Sequence, residues 1–238
     1  MAFLKNVTAR NRQPELIDQP DLDPQRLQGA LQGLERINWW SGSARILWPP
    51  IRALARKSGS KRLRILDIAT GAGDVPIRLA QKAQHAGLDL QFEGCDFSAN
   101  ALGYARGRAA ARGAEVRFFE WDALRGDFPS GYDVLTCSLF LHHLDQEQAV
   151  TFLRRASEAA QRLVLVNDLV RSWAGFTLAY LGTRILTRSP VVHTDGPRSV
   201  EGAFTLQEAR SLAERAGLHG ATVERRWPCR YLLAWAHA

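Results

Sequence analysis

Short apolar runs alternate with stretches in which apolar residues recur every three or four positions, and this alternation covers the chain from residue 63 to residue 236. The runs predict strands at 63–68, 90–96, 115–119, 132–138, 162–167, 220–227 and 230–236. The periodic stretches predict helices near 75–86, 99–112, 146–160 and 206–216. Strands that alternate with helices need both sheet faces covered, so the pattern predicts an α/β fold. The last two strands, VERRWP and RYLLAWAH, lie so close in sequence that they predict a hairpin, with an antiparallel strand at that edge. Ser98, Asp145 and Thr205 are N-cap residues by type. Gln148 and Glu208 complete capping boxes for the last two, and Gly113 and Gly217 mark helix ends.

Two regions stand outside the alternation. Before it, Asp23-Pro24 is a helix start, and Leu27, Leu31, Leu34 and Ile37 follow with helical spacing. A second helix is predicted from Ser43 to Lys57, with an interruption near Pro49-Pro50. Residues 170–203 are too many for a plain connection. They hold an amphipathic stretch from Trp173 to Leu186 and then a polar loop with His193, Asp195 and Arg198, an arrangement expected of a substrate lid. The predicted organisation is therefore an N-terminal helical cap over residues 1–60 and an α/β domain over 61–238, with the lid inserted at about 170–203.

The first predicted strand runs into Asp67-Ile68-Ala69-Thr70-Gly71-Ala72-Gly73-Asp74. Gly71 and Gly73 allow a sharp turn and close approach of a ligand to the backbone. Asp96 follows 23 residues after Gly73, at the predicted end of the second strand, where a carboxylate reaches ribose hydroxyls. A dinucleotide fingerprint would need a third glycine at position 76, which is Pro76. Asp74 also puts a negative charge where a pyrophosphate would rest on the helix N-terminus. No GxxxxGK[ST] loop is present to cradle a nucleoside triphosphate. A ribose-bearing, phosphate-free, positively charged ligand fits, which points to S-adenosylmethionine (SAM).

From Leu63 to the C-terminus the chain resembles the class I SAM-dependent methyltransferases. The resemblance rests on an ordered series: DIATGAGD at 67–74, EGCDFS at 93–98, EWDAL at 120–124, YDVLTCSLFLHHL at 132–144 and LVLVNDL at 163–169. It is nearest to the branch of quinone-biosynthesis and small-molecule O-methyltransferases. One departure is Ala69, where the family usually has glycine. The resemblance implies a Rossmann-like seven-stranded sheet, mostly parallel with an antiparallel last strand, helices on both faces and an N-terminal helical cap. It also implies SAM as cofactor, S-adenosyl-L-homocysteine as product, and cofactor contacts from Asp67, Ala69, Thr70, Gly71, Gly73, Asp96, Ser138 and Leu139. Asp122, beside Ala123, would accept from the adenine amino group, with Phe97 and Trp121 over the ring faces. Trp121 has a second reading, as a core residue. The N-terminal helices of such enzymes cap the acceptor site, so Trp39, Trp40 and Trp48 either line it or dock the helices on the sheet.

The loop after the fourth strand carries His142-His143, and a histidine there can take a proton from an acceptor hydroxyl. The alternative is that both histidines order the loop. Asp168 ends the fifth strand on the same side, and His193 of the lid is a further catalytic candidate or a plain surface residue. No third metal ligand is spaced near the two histidines, so no metal is expected. The predicted reaction is methyl transfer to a hydroxyl of an aromatic or polyketide-like small molecule, with methylation of a quinone-ring carbon as the alternative.

Composition narrows the partners. The 238 residues are 46% hydrophobic, enough for one buried core, and carry a net charge of +7 from 27 arginines and 4 lysines against 24 acids. The arginines are interleaved with acids, which reads as a solvated surface and not as a nucleic-acid footprint. The segment after the fourth strand reads SLFLHH where base methylases show Asn-Pro-Pro-aromatic, so a small apolar or aromatic acceptor is expected and nucleic acid is not. A non-catalytic SAM-binding regulator is a remaining alternative. Cys95, Cys137 and Cys229 are odd in number and far apart, as expected of free thiols in a reducing compartment. Met1 to Gln13 lacks a signal-peptide core, and Asn167, Asp168 and Arg171 interrupt the apolar stretch from Leu163 to Leu181. A cytoplasmic protein without stable membrane insertion is expected.

Overall fold

The predicted strands form one sheet in the computed structural model, which describes residues 7–19, 21–59 and 62–237. They are β1 (Leu63–Ile68), β2 (Leu90–Asp96), β3 (Val116–Glu120), β4 (Tyr132–Ser138), β5 (Ala160–Leu169), β6 (Thr222–Arg226) and β7 (Arg230–Ala236), in the order β3-β2-β1-β4-β5-β7-β6. β7 runs antiparallel to both its neighbours, and every other pair is parallel. Strand order reverses between β1 and β4, so the crevice for a ligand opens at their carboxyl ends.

Alternate residues of each strand feed opposite cores, as the two-residue period requires. Ile65, Val134 and Leu165 face α2 (Ser43–Lys57) and α3 (Asp74–His85). Leu66, Leu135 and Val164 face the other way, into a core shared with α5 (Gln146–Ala159) and α8 (Leu206–Arg215). A smaller cluster joins α3 to α4 (Ala99–Ala111) through Ile77, Leu102, Ala105 and Phe118. Both capping boxes form, Asp145 with Gln148 and Thr205 with Glu208, and Gly113 and Gly217 adopt positive φ past their helices. The cysteines are free, as expected.

Three outcomes differ from the sequence pattern. The helix over 43–57 runs unbroken through Pro49 and Pro50. Each proline costs about 3 kcal/mol in a helix interior. Burial of Ile46, Leu47 and Ile51 against the sheet, about 1.5–3 kcal/mol each, is of the same size and holds α2 together. The expected polar loop after residue 186 is instead a helix, α7 (Pro190–Gly202), following α6 (Trp173–Leu186). Ser189 caps it, Pro190 starts it, and Val191 and Val192 pack on Ala30 of α1 (Pro24–Ser41), a tertiary contact that overrides Gly196-Pro197. Gly196 is needed there because a Cβ would come within 2.5 Å of Thr183 Cγ2 on α6. Finally, β5 is longer than predicted at both ends, since it is paired on both sides.

The expected boundary at residue 60 falls on Ser60 and Lys61, and these two and the first six residues of Met1 to Gln13 lie outside the described residues. Within them, α2 is one of the helices that cover the sheet. Residues 7–19 run back over the carboxyl end of the sheet, ending in a 3-10 turn at Leu16–Asp18. Arg10 anchors this strap by donating to the carbonyls of Gly202 (2.6 Å), His142 (3.0 Å) and Leu144 (2.6 Å). No helix among the described residues is long and apolar enough to cross a membrane.

Candidate active site

A cavity of about 640 Å³ opens at the carboxyl ends of the strands, beneath α1, α6, α7 and the strap. Its size falls in the range of roughly 300–1,000 Å³ usual for small-molecule sites. One end is acidic. Asp67, at the end of β1, is buried and accepts hydrogen bonds from Thr70 Oγ1 (2.8 Å) and Thr136 Oγ1 (2.7 Å). Burial pushes its pKa up to about 7, against the pull of those two hydroxyls, with Asp74 and Asp96 adding repulsion. Asp96 accepts from the Gly71 amide (2.8 Å) and the Ser98 amide (2.9 Å), and burial raises its pKa as well. This lock joins the β1 turn to the end of β2. Gly73 lies behind the cavity wall at φ +69, where a Cβ would press on Phe118 and Ala105.

Farther along, Asp122 accepts from the Leu124 amide (2.8 Å) and approaches Arg125 Nε at 3.5 Å. Phe97 and Trp121 line the same end, and so do Ala69, Thr70, Gly71, Ala123, Ser138 and Leu139. Trp121 also meets Phe128 edge-on at 4.9 Å, so it serves both cavity and core. Among the described residues three non-glycines have positive φ, Ala69 (53°), Leu139 (59°) and Cys229 (51°), and all three line the cavity. Strain of this kind, of order 1–3 kcal/mol per residue, is characteristic of ligand sites.

The other end is built around histidines. His142 is buried, with Nδ1 2.7 Å from Asp168 Oδ1 and Nε2 3.5 Å from Glu15 Oε1. Burial would lower its pKa, but Asp168 and Glu15 overcome that and raise it to about 10. Asp168 is held below the usual carboxylate range by the same pairing, in spite of its burial. Asp168 and Glu15 thus favour the protonated form of His142, which leaves His143 the better placed of the two to take a proton. Asp168 stands behind His142 and off the cavity wall, so it positions the ring without reaching a ligand. Both histidines line the cavity, but the His143 side chain is 25% exposed, with Nδ1 3.3 Å from Asp18 Oδ2 and Nε2 3.8 Å from Glu15 Oε2.

His193 does not join this group. It lies on α7 with Nε2 2.8 Å from the Thr187 carbonyl, where it ties down the α6–α7 turn. Asp195, from the same expected loop, is buried and accepts the Leu16 and Ile17 amides of the strap at 2.9 and 3.0 Å. Burial pushes its pKa up to about 6. The three tryptophans divide: Trp40 lines the cavity, Trp48 packs against the α2 core, and Trp39 does neither and faces solvent.

Sequence reasoning missed Glu15, Asp18 and Arg230. Glu15 is 127 residues from His142 and carries no motif. It supplies the third ligand-type group that the sequence lacked, with ligand atoms of Glu15, His142 and His143 all within 4.8 Å of one another. Within the cluster the contacts are those of His142 Nε2 and His143 Nε2 with the Glu15 carboxylate, at 3.5 and 3.8 Å. Arg230, at the start of β7, is buried on the cavity wall and has no carboxylate within ion-pair distance among the described residues. It donates to Ser43 Oγ (2.6 Å), Asn38 Oδ1 (3.3 Å) and Ser41 Oγ, and burial lowers its pKa to about 10.

The strand order, with β7 reversed, and the glycine turn at the end of β1 are those of the class I SAM-dependent methyltransferase fold, which the chain shares with solved structures. Residues 65–162 match the family described as a methyltransferase domain, Methyltransf_25. The chain is similar to the demethylmenaquinone methyltransferase of Thermus thermophilus, with 40% identity over 119 residues, 49% of this chain and 52% of that protein. It thus spans about half the length of that curated relative. It is also similar to the ubiquinone biosynthesis O-methyltransferase of Paraburkholderia phytofirmans, with 28% identity over 179 residues, 70% of this chain and 72% of that one. The crystal structure of the SAM-dependent methyltransferase SibL in its apo form shares the fold, with a TM-score of 0.66 and 16% identity over 99% of this chain and 68% of that chain.

Proposed function

We propose that this protein transfers a methyl group from SAM to a ring oxygen of a quinol-type or related aromatic small molecule. The observation that carries the reading is a single cavity with a row of strand-end carboxylates at one end and a partly exposed histidine, His143, at the other. The acidic end fits a cationic cofactor. Asp67 is buried with only hydroxyl partners and its pKa stands at about 7, so a positive charge nearby would favour its ionised form. Asp96 would hold the ribose hydroxyls, Asp122 the adenine amino group, and Asp67 with the Thr70-Gly71 turn the amino-acid end. Bound SAM would supply an electrophilic methyl carbon.

The remaining work falls to the protein. His143 accepts the proton of the acceptor hydroxyl at Nε2, with Asp18 beside Nδ1 at 3.3 Å to orient the ring. Arg230 offers a buried cation on the cavity wall, which favours an acceptor oxygen carrying negative charge. The apolar side chains of α1 and α6 on the wall, Leu31, Leu34 and Leu178 among them, suit an aromatic acceptor and exclude water. Alignment of the two reactants supplies the larger share of rate, since effective molarities reach roughly 10⁵–10⁸ M.

A second reading, transfer to a ring carbon of the same acceptor class, is supported by the 40% identity with the demethylmenaquinone methyltransferase. Incubation with isotopically labelled SAM and 1,4-naphthohydroquinone, followed by NMR of the product, separates the two by the position of the labelled methyl. Label in oligonucleotides and none in quinols or phenols would overturn both.

A further inference from the structure

We propose that an open groove between α1, α2 and α3 docks the protein onto an anionic lipid bilayer, with the mouth of the cavity beside the docked face. Four tryptophans line this groove: Trp39, Trp40 and Trp48 from the N-terminal helices, and Trp227 from the turn before β7. Trp39 and Trp227 are 63% and 64% exposed, and the rings of Trp40 and Trp227 lie 5.1 Å apart. Monomer surfaces seldom leave indoles out in this way, and an indole with an apolar body and one polar N–H suits the headgroup level of a bilayer.

Charge selects the partner. Arg45, Arg52, Arg78 and Lys82 line the same groove, and no carboxylate does. Arg45 and Arg52 are exposed and enter no ion pair among the described residues. Some basic side chains elsewhere do find acids, as Arg108 and Arg112 find Glu35 and Arg171 finds Glu208. An acid-free basic groove rimmed with tryptophan complements an anionic membrane surface, where each added cation strengthens adsorption by about fivefold.

The groove is also continuous with the active site. Asn38 and Trp40 line both the groove and the cavity, so the two share a wall at the end of α1. α6, packed on α1 at the cavity, exposes Leu181 and Ile185 as further apolar side chains. The proposal rests on the quinol reading in one respect: an acceptor with an apolar tail partitions into the bilayer and would enter the cavity from there.

Sedimentation with vesicles of phosphatidylglycerol and phosphatidylcholine, against phosphatidylcholine alone, tests the docking without any acceptor. The intact chain should bind the anionic vesicles at low salt, with a blue shift of tryptophan emission, and release them as salt rises. The double variant Arg45→Glu and Arg52→Glu should weaken binding by at least about 25-fold, from the fivefold for each cation. Trp39→Ser with Trp227→Ser should weaken binding at every salt concentration. Neither pair lines the cavity, so transfer to a water-soluble hydroquinone should stay unchanged, while transfer to a long-tailed quinol in vesicles should fall. Absence of anionic-vesicle binding at low salt overturns the proposal, and so does binding that both pairs leave intact. It is equally overturned if the variants alter only oligonucleotide binding or self-association. Because vesicle binding is read without turnover, its failure leaves the methyl-transfer reading standing, and failure of that reading leaves the docking measurable.

Discussion

The two ends of the cavity are built on opposite plans. At the cofactor end, Asp67, Thr70, Gly71, Asp96 and Asp122 come from three successive strand ends, and their locks are short: Thr70 to Asp67, Gly71 and Ser98 to Asp96, Leu124 to Asp122. At the acceptor end, Glu15, His142, Asp168 and Arg230 arrive from the strap, the β4 loop, β5 and β7. The first end is a product of turn chemistry repeated along an α/β sheet. The second exists only when the strap, α1 and α7 close over the sheet, so its chemistry can change with little effect on cofactor recognition.

That separation can be broken or sharpened by measurement. The largest effect is expected from His143→Ala, which should lower kcat by roughly 10²–10⁴ with SAM affinity near that of the parent protein. Raising the pH to 9 should restore part of the loss, because a more ionised phenol needs less help. A loss of tenfold or less would remove His143 as the base while leaving positioning as the source of rate.

Next in size is stability at the acceptor end. Asp168→Ala strands the His142 imidazolium and should cost about 3–5 kcal/mol in urea unfolding. The same pair gives a pH signature. The pKa of His142 is raised to about 10, so its stabilisation is full below the unfolded-state value of about 6.5 and is lost as pH climbs to about 10. Thermal midpoints should therefore fall across that window in the parent chain and much less in His142→Gln. A flat profile in the parent would mean that His142 is not locked as an imidazolium.

Smaller effects belong to the cofactor end. Asp96→Ala should weaken SAM binding at least about tenfold by calorimetry, from loss of charge-assisted hydrogen bonds worth roughly 1.5–3 kcal/mol each. Equal loss in Asp168→Asn would show that the two ends are coupled. Smallest is a pH effect on the cofactor itself. With its pKa near 7, Asp67 is ionised above that pH, so affinity for cationic SAM should drop severalfold between pH 8 and pH 6. In Asp67→Asn that dependence should vanish.

Much of this architecture is legible in the chain because it rests on local rules. Alternating apolar runs have the right lengths for strands, Asp145 and Thr205 cap the helices they precede, and Gly71 and Asp96 meet because a βα unit brings successive strand ends side by side. Residues 190–202 escaped this reading, since their helix depends on Val191 and Val192 meeting Ala30, a partner some 160 positions away. Pro49 and Pro50 misled for the same reason: burial on the sheet outweighs the two missing amide donors. The packing of Asp168 and Glu15 on either side of His142 decided which of two adjacent cavity-lining histidines is buried in an ion-pair network and which stays partly exposed. The sequence by itself determined the sheet, the glycine turn and the carboxylates at the strand ends, because periodicity, turn residues and strand-end acids act over a few positions. Only the tertiary structure decided the acceptor end, where Glu15 and Arg230 are brought in by strap and edge-strand packing, and where burial and partner charge set each proton.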